Sequence, residues 1–106
     1  MNTKYTYRND EKAAMRQLRK QVRETGIKPT VRVDIGWLST TNVIMTCKQV
    51  QTIIDGAVAE ANRLETYEWI EEVWVEYTIG VWDHAIYFSA KVGYTRNDQD
   101  EDGEEE

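Results

Sequence analysis

From Val50 to Leu64 the chain sets Val50, Ile53, Ile54, Ala57, Val58, Ala61 and Leu64 at three- and four-residue spacings. At about 100° per residue these fall on one side of an α-helix. A stripe so apolar cannot remain in water, so the rest of the chain must present a matching apolar face. Thr46 and Gln49 precede the stripe as a capping box, Thr-x-x-Gln, in which each side chain satisfies a free backbone amide of the first turn. Gly56 inside the helix costs about 1 kcal/mol relative to Ala and reads as a close packing contact.

A second helix is expected over residues 10–25. Asn9 or Asp10 caps its start, and Glu11 sits in the positively polarised first turn. Gly26 stands where the C-terminal cap needs positive φ, and Pro29 prevents continuation. Ala14, Met15, Leu18 and Val22 share one stripe. Lys12, Arg16, Arg19, Lys20 and Arg23 occupy an arc of about 100°, centred roughly 120° from that stripe. This helix buries one side and presents a dense cationic face.

Residues 30–38 alternate, with Val31, Val33, Ile35 and Trp37 on one side of a half-buried strand. Residues 39–42 read as a turn, and 43–45 as a short strand. The segment 67–79 fits two templates. As a strand it lines up Tyr67, Trp69, Val73, Val75, Tyr77 and Ile79 on one face, interrupted by Glu71, and Glu68, Ile70, Glu72, Trp74, Glu76 and Thr78 on the other. As a helix it aligns Tyr67, Ile70, Trp74 and Tyr77. Its β-branched and aromatic content favours a strand from Val73 onward. After a turn at 81–84, residues 85–95 form the last strand, with Ile86, Phe88, Ala90, Val92 and Tyr94 inward and Tyr87, Ser89, Lys91 and Thr95 outward.

The expected architecture is α+β, in the order α-β-β-α-β-β. It is a four-stranded antiparallel sheet with both helices packed on one face. The 106 residues suffice for one domain, expected over 1–96. Residues 97–106 have no apolar side chain and seven acids, and read as a disordered acidic tail. No apolar run is long enough to span a bilayer, and the first eight residues lack the apolar core of a secretory signal. With a lone cysteine, Cys47, no internal disulfide can form, so a cytoplasmic location is expected.

The net charge of −6 conceals a split. Residues 1–32 carry nine Lys/Arg against three acids, and residues 33–106 carry four against sixteen. Such asymmetry makes a polarised surface that steers partners.

Little in the chain points to catalysis. His84 is the sole histidine, and a neighbouring Asp83 is no dyad, because adjacent residues point in different directions. Cys47 at a helix start gains from the dipole but has no base in its vicinity along the chain. One Cys and one His cannot build a typical zinc site. The acidic run 98–103 lacks the EF-hand spacing, and no glycine-rich phosphate loop is present. No enzyme, no cofactor and no metal are expected.

Surface chemistry offers more. Glu68, Glu72 and Glu76 recur at every fourth residue with Trp74 among them, an acidic, aromatic face suited to a basic groove on a protein partner. Carboxylates spaced along a rigid strand can stand in for phosphates. In size, acidity and lack of catalytic motifs the chain resembles, by composition alone, small phage and mobile-element inhibitors of nucleases. The leading expectation is a protein-binding module that inhibits or modulates a nucleic-acid-handling protein. The alternative is a DNA- or RNA-binding accessory protein using the Lys12, Arg16, Arg19, Lys20 and Arg23 face against phosphates. A third reading is an assembly subunit, a homo-oligomer that stacks basic helix on acidic sheet. No membrane partner is expected.

Overall fold

The computed structural model describes residues 2–36 and 38–97. Its elements run β1 (Thr3–Arg8), α1 (Glu11–Thr25), β2 (Thr30–Asp34), β3 (Ser39–Ile44), α2 (Cys47–Leu64), β4 (Ile70–Trp82) and β5 (Ala85–Arg96).

Both helices form where local chemistry asks for them. Asp10 caps α1, its Oδ1 accepting from the Ala13 amide at 3.1 Å. Gly26 closes that helix at φ 74°, where L-residues are strained, and donates its amide to the Val22 carbonyl at 2.7 Å. At the start of α2 the capping box is complete: Gln49 donates its amide to Thr46 Oγ1 at 3.1 Å, and Thr46 donates its own to Gln49 Oε1 at 2.8 Å. Ala14, Met15 and Leu18 of α1 and Val50, Ile54, Ala57 and Ala61 of α2 are buried against Val31, Val33, Val73, Val75, Tyr77, Ile79, Ile86, Phe88 and Ala90 of the sheet. All these strand residues lie on one face, so both helices cover that face, and among the described residues no helix covers the other.

Two features depart from the expected architecture. The sheet is five-stranded and mixed, in the order β1-β4-β5-β2-β3, with β2 parallel to β5 and the other neighbours antiparallel. The element order is accordingly β-α-β-β-α-β-β. The unexpected strand is β1, an edge strand whose inward residues are Thr3, Tyr5 and Tyr7, with only the two tyrosines packed on the core. The parallel pairing follows from the helices. β1 and β2 run the same way and are joined through α1, β3 and β4 do likewise through α2, and such crossovers connect parallel strands.

The reversals also move. The turn expected at 39–42 lies earlier, where Gly36 takes φ 88° and the Ile35 amide donates to the Leu38 carbonyl at 3.0 Å. Residues 39–42 instead belong to β3, with Asn42 at φ 53° where the β2–β3 register shifts. Trp37, expected beside Ile35, lies outside the described residues. A bulge resolves the ambiguity at 67–79. Ile70 pairs with Arg96 and Glu72 with Thr95, so Glu71 is an extra residue, Ile70 turns inward, and Val73 onward alternates as a strand. Tyr67 and Trp69 precede the strand and are exposed. Asn97, the first residue of the expected tail, donates its amide to the Trp69 carbonyl at 3.0 Å and its side chain to the Glu68 carbonyl at 2.8 Å. The rest of that tail, 98–106, lies outside the described residues. No helix among the described residues is long and apolar enough to cross a membrane.

Candidate functional site

The open face of the sheet carries three of the four acidic-face residues, Glu72, Trp74 and Glu76, pointing outward from β4. Glu68 is apart from them, in the turn between α2 and β4. The carboxylates are not a free row. Arg8 of β1 reaches Glu72 at 3.5 Å and lies 4.2 Å from the centre of the Trp74 ring. Pairing across the sheet sets Arg8 beside Glu76, Glu76 beside Lys91, and Lys91 beside Asp34, so charge alternates strand by strand. That alternation stabilises cross-strand neighbours and leaves this part of the face nearly balanced. Trp74 lies over Gly93, where a Cβ would fall 2.7 Å from the indole.

The unbalanced acid is at one end of the sheet. Tyr67 and Trp69 stack with ring centroids 5.6 Å apart, and Trp69 meets Tyr94 edge-on at 5.9 Å. The three rings are exposed by 38%, 38% and 43%, a cluster that water does not favour. Arg63 holds Tyr67 by a 2.6 Å hydrogen bond to its hydroxyl and pairs with Glu60 at 2.7 Å, keeping the Glu60 carboxyl below its ordinary range. Arg96 lies over Trp69 at 4.8 Å. Next to the rings in the chain, Glu65, Glu68 and Glu71 are exposed, and Glu65 and Glu71 share one depression with Glu72, the partner of Arg8. The strand template aligned Tyr67 and Trp69 with Val73, whereas both precede β4; Tyr94 does take the inward side, opposite Val73, but is exposed at the end of β5. The signal for the first two was their interleaving with Glu65, Glu68 and Glu71, which keeps this stretch in water.

The basic face of α1 lines a groove between the helices. Lys12, Arg16, Arg19, Lys20 and Arg23 all border it, with Met15 as its floor and Glu11 and Gln51 at its margin, enclosing about 720 Å³. Among the described residues none of the five cations is in an ion pair. Gln51 of α2 ties the groove together. It accepts from Arg19 at 3.2 Å and donates to Glu11 at 2.7 Å and to Asp55 at 3.0 Å. Burial first, and then the neighbouring Asp55, push the Glu11 carboxyl above its ordinary range.

The candidate nucleophile and base sit on different elements. Cys47 is half-buried at the start of α2, and burial pushes its thiol up, outweighing nearby Arg19. His84 is exposed at the tip of the β4–β5 hairpin, beside Asp83 at φ 49°. Among the described residues no three His, Cys, Asp or Glu side chains are grouped to hold a metal ion. The chain matches no protein-family model, no curated protein and no solved structure.

Proposed function

We propose that this chain is a non-catalytic protein-binding module that docks through the acidic, aromatic end of its sheet. The observation that carries this reading is the exposed Tyr67, Trp69 and Tyr94 cluster, with Glu65, Glu68 and Glu71 exposed next to it in the chain. Aromatic side chains of this kind anchor interfaces by burial, while surrounding charges steer the encounter and set register. Carboxylates around planar rings offer a partner the same chemistry as the phosphates and bases of a nucleic-acid strand. The partner class is therefore a nucleic-acid-handling protein with a basic groove, which this chain inhibits or modulates by occupying that groove. Glu72 belongs to both the cluster's margin and the open face. Trp74 and Glu76, bracketed by Arg8 and Lys91, have a secondary place in this reading.

The groove of α1 supports a second reading, a nucleic-acid-binding accessory protein. Its five exposed cations border one concave surface, and α1 presents them over about 16 Å at 1.5 Å per residue, enough to meet several phosphates of one strand. The overall charge opposes this less than it first suggests. Seven of the nineteen acids lie in residues 98–106, so residues 1–97 carry thirteen Lys/Arg against twelve acids.

Affinity capture from native lysate, with and without nuclease, separates the two. The first reading expects a stoichiometric protein that survives nuclease, is lost with Trp69→Ala or Glu68→Lys/Glu71→Lys, and is kept with Arg16→Glu/Lys20→Glu. Recovery of nucleic acid alone, abolished by Arg16→Glu/Lys20→Glu, would sink it in favour of the second.

A further inference from the structure

On the open face, at the opposite end of β4 from the acidic cluster, lies a depression of about 550 Å³ bordered by Lys4, Arg32, Trp82, Tyr87, Thr78 and Ser89 among others. Its tryptophan is laid down along the sheet. The six-membered ring of Trp82 occupies the place that a Cβ on Gly80 would take, so only glycine at that position permits the pose. Tyr87, 43% exposed, meets Trp82 edge-on with centroids 5.4 Å apart and planes at 71°. Two half-exposed rings are thus braced against each other on a rigid strand pair.

The charge here differs from the rest of the face. Near Arg8 and Lys91 each cation has a carboxylate beside it, whereas among the described residues no carboxylate borders this depression. Lys4 and Arg32 stand at its two sides, and neither is in an ion pair among the described residues. Between them lie hydroxyls from Thr78 and Ser89, which pair across β4 and β5.

We infer that this depression is a binding site for single-stranded nucleic acid, with a base stacked on Trp82 and flanked by Tyr87, and backbone phosphates at Lys4 and Arg32. Bases stack on exposed aromatic rings whatever their identity, and flanking cations track the backbone. Span decides between a strand and a lone nucleotide. Lys4 and Arg32 start three strand spacings and one same-face step apart, about 16 Å between backbones. A strand carries a charge about every 3.4 Å along a helix, so it can set a separate phosphate at each cation, whereas a nucleotide monophosphate offers only one. The depression is also an open trough, unlike the enclosing pockets that bury a small ligand. This site is independent of the acidic end and of the α1 groove.

The test is fluorescence anisotropy of a labelled oligothymidylate titrated with the full chain. Trp82→Leu should weaken binding about fivefold or more, the loss of one stacked base. Lys4→Gln/Arg32→Gln should weaken it and make the log–log salt slope shallower by about 1.4, from about 0.7 per phosphate on a single strand. Lys48→Gln, at an exposed position on α2 across the sheet from this face, should leave affinity within about twofold, because distant exposed charges are screened. Should Trp82→Leu fail to fold by circular dichroism, the exposed Tyr87→Leu takes its place with the same expected loss. The inference is overturned if the strand does not bind, if binding ignores Trp82, Tyr87, Lys4 and Arg32, or if thymidine monophosphate competes as well per molecule as the strand.

Discussion

The Arg8 guanidinium sits 4.2 Å from the centre of the Trp74 ring while reaching Glu72 at 3.5 Å, so one side chain from the edge strand both covers the indole and neutralises its neighbour. Trp74 in turn covers Gly93, leaving no room for a Cβ there. Gly93→Ala should therefore destabilise the domain by about 1–3 kcal/mol through overpacking. Placed on Trp74→Ala, the same substitution should cost much less, since the obstructing ring is gone. A double-mutant cycle by urea unfolding reads the coupling, and strict additivity would show that the indole yields without cost.

Thr46 and Gln49 satisfy each other's amides at the start of α2. Thr46→Ala should cost about 1 kcal/mol, equivalent to roughly 4–8 °C in melting temperature for a domain of this size. Adding Gln49→Ala should cost less than its effect in isolation, because the reciprocal arrangement is already broken. Thermal denaturation of the two single variants and the double variant checks this.

Tyr77 is 1% exposed, and burial, reinforced by the carboxylates of Glu11, Asp55 and Asp10, pushes its hydroxyl up to about 12 from an ordinary 10.0. Between those values the unfolded chain releases a proton that the folded chain retains. Tyr77 therefore contributes a fall in stability as pH climbs from 10 toward 12. Ultraviolet titration of the six tyrosines should show a late step near pH 12 that Tyr77→Phe removes. That variant should also flatten the decline in stability above pH 10.

The helices were legible because their instructions are local: a capping side chain, a glycine at the far end, and an apolar stripe between. The cationic face followed from the same angular arithmetic, and its five residues do border one groove. β1 was not legible, since Tyr5 and Tyr7 alone do not announce a strand and its existence depends on pairing Thr3–Arg8 with Val81–Glu76. Missing β1 hid Arg8, and with it the neutralisation of Glu72 and Glu76. The bulge at Glu71 hid the rest. One extra residue turns Ile70 inward and separates Glu68 from the strand, so an even four-residue spacing in the sequence is not even in space. The parallel β2–β5 pairing was out of reach because the helix crossovers choose it, and strand patterns do not encode their neighbours.

Gln51 is where helix packing and charge meet, because it donates to both Glu11, at 2.7 Å, and Asp55, at 3.0 Å. Glu11 is raised by burial and by Asp55, and the Gln51 hydrogen bond holds that rise in check. For a carboxyl raised on folding, the native chain holds more protons than the unfolded chain in the window above the unfolded value of 4.5, so stability falls as pH rises through it. Gln51→Ala removes the restraining hydrogen bond and should widen that window upward. Urea unfolding from pH 4 to pH 8 should then show the variant losing stability more steeply than the parent. Glu11→Gln added to Gln51→Ala should abolish the extra slope, which ties the effect to that carboxyl. If Gln51→Ala merely shifts the whole curve down in parallel, Gln51 acts by packing and its link between the two carboxylates has no electrostatic consequence.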